Sequence, residues 1–174
     1  MNTVQHKAYK LVVIGGGAAG FFCAVNAARH LPQGQVLLLE KSGKLLSKVK
    51  VSGGGRCNVT HHCFQISELV KKYPRGASFL KKAFHQFQPA DTIEWFQSRG
   101  VPLKAEPDGR MFPVTDDSET IMQCLLQEAD RYAVNIQLRT EVTSVQATPQ
   151  AAHRFELTVA DGRKITADAV CVTT

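Results

Sequence analysis

The sequence has no apolar run of the ~18 to 20 residues that a membrane-spanning helix needs, and Met1 to Lys10 lacks the apolar stretch of a secretory signal. The expected compartment is therefore the cytoplasm, with no membrane partner. No C-x-x-C pair occurs among the five cysteines, Cys23, Cys57, Cys63, Cys124 and Cys171. That absence excludes a regular disulfide framework and removes the second sulfur of a dithiol reductase, so reduced thiols are expected. Cys57, His61, His62 and Cys63 crowd within seven positions without a distant partner pair, which does not match a structural zinc site; no metal is expected.

Serine, histidine and acid do not combine around a nucleophile elbow, and no paired carboxylates stand out as an acid-base couple, so hydrolase chemistry has no support. Internal repeats and low-complexity stretches are also missing. His30 and His85 fall in helical stretches and read as surface or satisfied histidines. Trp95 and the nearby phenylalanines read as core or lid residues. With no catalytic side chain in view, the expected chemistry is carried by a cofactor, for which the protein supplies position and electrostatics.

What is present begins with Leu11-Val12-Val13-Ile14, a β-branched run that meets glycine at once, as a buried parallel strand does. A helix is expected from Ala18 to His30, broken by Leu31-Pro32-Gln33-Gly34, and a second buried strand over Val36 to Leu39 ends at Glu40. Between strand and helix, Gly15-Gly16-Gly17-Ala18-Ala19-Gly20 satisfies G-x-G-x-x-G. Gly15 serves the sharp turn, Gly17 lets the backbone approach a pyrophosphate, and Gly20 allows helix and strand to pack closely. The N–H groups at the helix start, from Ala18 and Ala19, face the phosphates with the positive end of the dipole behind them. Glu40, twenty residues after Gly20, stands where a carboxylate accepts ribose hydroxyls, which disfavours a 2′-phosphate.

A second glycine cluster lies in Lys48-Val49-Lys50-Val51-Ser52-Gly53-Gly54-Gly55-Arg56-Cys57-Asn58. Three adjacent glycines carry a conformational-entropy cost that a merely connecting loop has no need to incur. They can turn N–H groups toward an anion or lie against a planar ring, with Ser52, Arg56 and Asn58 as added donors. The formal charge is +6 and the pI about 9.2. Lys41, Lys44, Lys48, Lys50 and Arg56 crowd these motifs, so the charge is assigned to a bound pyrophosphate ahead of a nucleic acid.

The segment after Glu40, including Ser52 to Gly55, reads as loops and short strands. Short amphipathic helices follow near Ile66 to Lys72, Ser78 to Gln86 and Asp91 to Arg99. A hairpin turning at Asp108-Gly109 is expected within Pro102 to Phe112, then a helix capped by Asp117 or Ser118 that runs to about Tyr132. Asn135 to Leu138, Glu141 to Gln146, Phe155 to Val159, Lys164 to Thr166 and Ala169 to Thr173 read as successive strands, with Asp161-Gly162 as a tight turn. The chain stops in or just after the last of them, and a fragment of a longer protein is expected.

Lys48 with Ser52-Gly53-Gly54-Gly55-Arg56-Cys57-Asn58 and Thr60, joined to the glycine-rich strand-turn-helix and Glu40-Lys41, resembles the HI0933-like flavoproteins. Gly109-Arg110-Met111-Phe112-Pro113-Val114 is similar to that family's Gly-Arg-x-Phe-Pro segment, and Arg139-Thr140-Glu141-Val142 to the strand turn whose backbone meets the adenine. His61 departs from the family, which usually has asparagine there.

The resemblance implies an α/β, Rossmann-type FAD-binding fold of the glutathione-reductase-like kind, with a parallel sheet and a β-meander in place of a crossover helix, incomplete at the C-terminus. It implies a tail over residues 1–8 and an FAD-binding domain over 9–174, with a loop and helix insertion over 41–115, ending before a substrate domain. FAD would lie with its adenine near Val142, ribose on Glu40, pyrophosphate over Gly15 to Gly20 and isoalloxazine toward Ser52 to Asn58. The implied reaction is two-electron transfer between NAD(P)H or an organic small-molecule substrate and an acceptor. Two other classes stay open: an FAD-dependent RNA-modifying protein, suggested by Lys71, Lys72, Arg75, Lys81 and Lys82, and a non-catalytic dinucleotide-binding module.

Overall fold

A computed structural model of the protein describes residues 8–148 and 152–174. The tail expected over residues 1–8 lies, except for Ala8, outside them. Along the chain run β1 (Ala8–Ile14), α1 (Ala18–Ala28), β2 (Val36–Leu39), α2 (Ser47–Val51), β3 (Thr60–His61), α3 (Ile66–Leu69), α4 (Ala77–Phe84), α5 (Pro89–Gln97), β4 (Leu103–Ala105) and β5 (Arg110–Pro113). They are followed by α6 (Ser118–Arg131), β6 (Asn135–Gln137), β7 (Val142–Ala147), β8 (Phe155–Val159) and β9 (Lys164–Val172). The chain divides into two compact units, one made of the residues up to Lys48 with Leu125–Thr174, the other of Val49–Cys124.

The first unit is built on a six-stranded sheet of order β6-β2-β1-β9-β8-β7. β1 pairs parallel with β2 and β9, and β2 pairs parallel with β6, while β8 runs antiparallel to both β7 and β9. This is the expected Rossmann-type arrangement, with a β-meander where a second crossover helix would stand. Every residue of β2 is at most 1% exposed, as a parallel strand covered on both faces must be. Burying each such side chain contributes roughly 1.5–3 kcal/mol. On α1, Phe21, Ala24, Val25 and Ala28 are buried at i, i+3, i+4 and i+7, and the helix packs on β1 and β2 through this stripe. Val12, Leu37 and Leu39 share a second cluster with Leu157, Val159, Ile165 and Ala167, so the meander completes the core of the parallel strands.

One expectation fails here. Lys164–Thr166 and Ala169–Thr173 are not separate strands but a single strand, β9. Ala167 is fully buried and pairs with both Tyr9 and Phe155, which carries the ladder through the polar interruption. Asp168, between the two expected strands, is held by Lys10 at 2.7 Å and by the His153 ring at 2.9 Å.

The second unit holds a three-stranded antiparallel sheet of order β3-β5-β4. Its hairpin turns at Asp108-Gly109, where Gly109 has φ +84° and its N–H donates to the Glu106 carbonyl at 2.8 Å. Helix α5 opens at Pro89, two residues before the expected Asp91, with the Gln88 N–H donating to Asp91 Oδ2 at 2.7 Å, and α6 is capped by Asp117, whose Oδ1 accepts the Glu119 N–H at 2.9 Å. The second correction concerns 47–55. Ser47–Val51 is a helix, α2, where loops and short strands are expected, and Ser52–Gly55 is a tight turn with left-handed angles at Gly53 and Gly54. Lys-Val-Lys-Val alternates like a strand, but Ser118 Oγ donates to the Lys50 carbonyl at 2.9 Å and satisfies one of the acceptors a helix end leaves open. Among the described residues no helix is long and apolar enough to cross a membrane.

Candidate dinucleotide site

In the first unit the glycine turn is clamped from three sides. The Gly15 N–H donates to the Leu39 carbonyl at 2.8 Å, and Leu46 N–H donates to the Gly16 carbonyl at 2.9 Å. Thr173 Oγ1, just past β9, donates to the Ile14 carbonyl at 2.8 Å. Gly15 has φ +115° and would carry a Cβ 2.9 Å from Thr173 Oγ1. A Cβ on Gly20 would meet the Gly15 carbonyl oxygen at 1.8 Å. Gly17 is different: nothing lies within 4 Å of its absent Cβ. The turn is thus packed below and open above.

Above it stands the start of α1, with Ala18 and Ala19 exposed, no side-chain cap and no acid in the first turn. Uncapped N–H groups at the positive end of a helix dipole, beside a glycine that leaves its surface bare, fit a pyrophosphate. Glu40 fits the neighbouring ribose. Its Oε2 accepts the Gly16 N–H at 2.8 Å and its Oε1 the Ser42 N–H at 2.7 Å. Burial works to raise the carboxyl pKa, but the N–H groups of Ser42 and Gly16 and the charge of Lys41 outweigh it and leave the group below its ordinary 4.5. Glu40 is therefore an oriented carboxylate with acceptor capacity left for hydroxyls.

Lys41 is exposed beside it, and Val142 is half-buried at the start of β7, paired with Val159. Lys48 is exposed in α2. The structure thus brings Gly15, Gly17, Ala18, Ala19, Gly20 and Glu40 together at the carboxyl ends of β1 and β2, the crevice where open α/β sheets bind ligands.

In the second unit, Ser52 to Asn58 forms a coil with left-handed angles at its three glycines and again at Cys57. Gly53, Gly54 and Gly55 have φ of +56°, +70° and +88°, Arg56 returns to −96°, and Cys57 stands at +62°. The Cys57 N–H donates back to the Ser52 carbonyl at 3.0 Å. Only glycine takes three such angles in succession without strain. Gly53 packs on Phe112, whose Cε1 would be 2.7 Å from a Cβ there, whereas Gly54 and Gly55 are open.

Arg56 is committed to protein partners. Its Nη1 donates to Glu106 Oε1 at 2.5 Å and lies 3.7 Å from Asp116 Oδ1, and its guanidinium carbon sits 4.0 Å from the Phe112 ring centre. Asn58 is likewise used locally, its amide donating to the carbonyls of Thr60 at 2.9 Å and Met111 at 3.2 Å. Cys57 is buried, and burial raises its thiol pKa, which keeps it protonated and a weak nucleophile. His61 lies flat against Gly109, where a Cβ would meet its ring at 2.4 Å.

Several partners carried no signal in the sequence. Thr173 is 158 residues from Gly15, and Glu106 is 50 from Arg56, so only the folded chain brings them together.

A sequence profile of the HI0933-like protein Rossmann domain matches residues 9–174. The chain belongs to the HI0933-like family. Within known proteins, this HI0933-like chain is 31% identical over 161 residues to the 3-dehydro-bile acid delta(4,6)-reductase of Clostridium scindens, covering 92% of the chain and 37% of that protein. It is also 31% identical over 137 residues to the ribosomal RNA dihydrouridine synthase of Escherichia coli, covering 79% and 33%. The HI0933-like chain thus spans about a third of the length of these relatives.

Among solved structures it resembles the 3-ketosteroid-delta4-(5alpha)-dehydrogenase from Rhodococcus jostii RHA1, with a TM-score of 0.70 at 15% identity over 98% of this chain and 47% of that one. A flavocytochrome c3 fumarate reductase gives a TM-score of 0.68 at 19% identity over 95% and 33%. At such identities the likeness shows the nucleotide-binding Rossmann fold alone.

Proposed function

We propose that the chain is the FAD-binding part of a flavoprotein oxidoreductase. The observation that carries this reading is Glu40, fixed by two backbone N–H groups at the end of β2, next to a glycine turn that is packed beneath and bare at Gly17. A carboxylate for the ribose and an uncapped helix start for the pyrophosphate together suit an adenine dinucleotide without a 2′-phosphate. FAD is favoured over NAD because the second glycine coil, Ser52 to Asn58, is the segment the family resemblance assigns to an isoalloxazine, and because a relative of this chain is a bile-acid reductase by name. Bound flavin supplies two-electron transfer; NAD(P)H or an organic small molecule as donor belongs to the proposal. In this reading the residues of the chain bind and orient: Gly15 to Gly20 take the pyrophosphate, Glu40 and Lys41 the adenosine side, and Arg56 holds its own coil in place against Phe112.

A second reading has a specific feature behind it. In the second unit, Phe79 on α4 is 78% exposed, the exposed Lys71, Lys72, Arg75, Lys81 and Lys82 flank it in the sequence, and one relative is a ribosomal RNA dihydrouridine synthase by name. A basic face with an aromatic side chain suits a stacked single strand. In that case the same FAD-binding part would serve an RNA-directed reduction.

The visible absorption spectrum of the purified protein, with identification of the released cofactor, tests the first reading. Flavin bands with FAD in the supernatant are expected. A colourless protein that takes up NAD and refuses FAD overturns it. Binding of a single-stranded RNA that weakens steeply with salt is expected only under the second reading.

A further inference from the structure

The order of strands lays out a path for the ligand. Pyrophosphate belongs to the turn after β1 and ribose to Glu40 after β2, and the next strand in the same direction is β6. The base of an extended dinucleotide therefore reaches the carboxyl end of β6, where the chain continues through Leu138 into Arg139.

Arg139 is held there in a conformation that arginine rarely adopts, with φ +52°. Backbone hydrogen bonds impose it: the Arg139 N–H donates to the Ser42 carbonyl at 3.0 Å, the Thr140 N–H to the Glu40 carbonyl at 2.9 Å, and the Glu40 N–H to the Gln137 carbonyl at 2.9 Å. Arg139 and Glu40 are thus tied into one loop pair. The arginine side chain lies over Gly43, with Nε 3.4 Å and Nη2 3.8 Å from where a Cβ would stand, so the bare glycine gives it a place to rest. The residue is exposed, and among the described residues no carboxylate pairs with its guanidinium.

Strain of this kind persists where the surroundings over-determine it, and it points to a use for the side chain. A guanidinium is planar, weakly hydrated and stacks on aromatic faces, which a lysine ammonium does not reproduce. We propose that Arg139 stacks on the purine of the bound dinucleotide and sets the affinity for its adenine end. This rests on the dinucleotide reading of the Gly15–Gly20 and Glu40 site.

The test compares Arg139→Gly and Arg139→Lys with the wild-type protein by calorimetric titration of FAD, ADP and FMN on protein stripped of cofactor, alongside thermal melting. Glycine accepts the left-handed angle freely, so Arg139→Gly is expected to melt at or above the wild-type temperature while binding FAD and ADP about five- to tenfold more weakly. FMN, which lacks the adenosine, is expected to bind both variants as it binds wild type. Arg139→Lys keeps the charge and is expected to lose most of the same affinity.

A purely structural role would lower the melting temperature of Arg139→Gly and leave ADP affinity unchanged, and that result overturns the assignment. Preference for 2′-phospho-ADP over ADP, lost in Arg139→Gly, also overturns it by making Arg139 a phosphate ligand. Wild-type protein that binds neither FAD nor ADP removes the dinucleotide reading and this inference together. Equal FAD binding by wild type and variants removes this inference alone.

Discussion

Gly20 packs so closely on Gly15 that a Cβ on Gly20 would stand 1.8 Å from the Gly15 carbonyl oxygen. No side-chain rotation relieves a clash between a Cβ and a main-chain oxygen, so helix and turn would have to separate. Gly20→Ala is expected to cost more than ~3 kcal/mol, read as a fall in the urea midpoint. Gly17→Ala makes the opposite case. Gly17 has φ −89° and open space around its Cβ position, so alanine is expected to fold within about 0.5 kcal/mol of wild type. The added methyl points into the space a pyrophosphate needs, and ADP affinity is expected to fall about tenfold or more. Equal ADP binding by Gly17→Ala and wild type would remove the pyrophosphate from this turn.

Glu40 links the site to acid stability. Its carboxyl pKa lies below 4.5 in the folded protein, because Ser42 and Gly16 donate to the ionised form and outweigh burial. A depressed folded pKa means the stabilisation is fully present above about pH 4.5 and is lost as pH falls through the lower, folded value. Thermal melting between pH 6 and pH 3 is expected to fall more steeply for wild type than for Glu40→Gln, which carries no titrating proton. Parallel curves would show that the N–H contacts contribute nothing to stability. At neutral pH, Glu40→Gln is also expected to bind ADP more weakly, since one ribose acceptor becomes a donor.

Arg56 and Phe112 offer a test in the second unit. The guanidinium lies 4.0 Å from the ring centre while Glu106 and Asp116 hold its edge, and Phe112 is fully buried beneath. Arg56→Ala is expected to lower the melting temperature, mostly through loss of the stacked contact, because the ion pairs are partly solvated. Arg56→Lys is expected to recover less than half of that. A double-mutant cycle with Phe112→Leu is expected to show coupling of about 1 kcal/mol. Additive losses would mean that the arginine acts through its carboxylate partners alone.

The parts of the fold that could be read from the sequence are those whose cause is local. Val12, Val13 and Ile14 followed at once by glycine announce a buried parallel strand, and Glu40 closes the next one. Asp117 caps α6, and glycines with positive φ mark both hairpins, at Gly109 and Gly162. What escaped depends on distant partners. α2 alternates like a strand until Ser118 closes its end, and β9 runs through Asp168 because Lys10 and His153 hold that carboxylate. For the candidate site, the glycines and Glu40 were legible because their signal is local: Gly15, Gly17 and Gly20 stand at fixed spacing between strand and helix, and Glu40 is the acid that ends the next strand. The engagement of Arg56 by Glu106 and the left-handed angle of Arg139 arise from tertiary contacts, and no spacing rule encodes them.

Thr173 supplies the last prediction, because it supports the glycine turn without facing a ligand. Its hydroxyl donates to the Ile14 carbonyl at 2.8 Å, and its Oγ1 stands 2.9 Å from the absent Cβ positions of both Gly15 and Gly20. Its own N–H donates to the same Ile14 carbonyl at 2.9 Å, so removing the hydroxyl leaves that acceptor satisfied. Thr173→Val is therefore expected to cost only about 1 kcal/mol, the worth of one hydrogen bond. Thr173→Ser keeps the bond and is expected to cost less. If the turn is held in its binding shape by this hydroxyl, Thr173→Val lowers ADP affinity several-fold while Thr173→Ser does not. Equal ADP affinity in both variants would assign the turn geometry to Gly15, Gly20 and the strand ladder alone, with the hydroxyl contributing only stability.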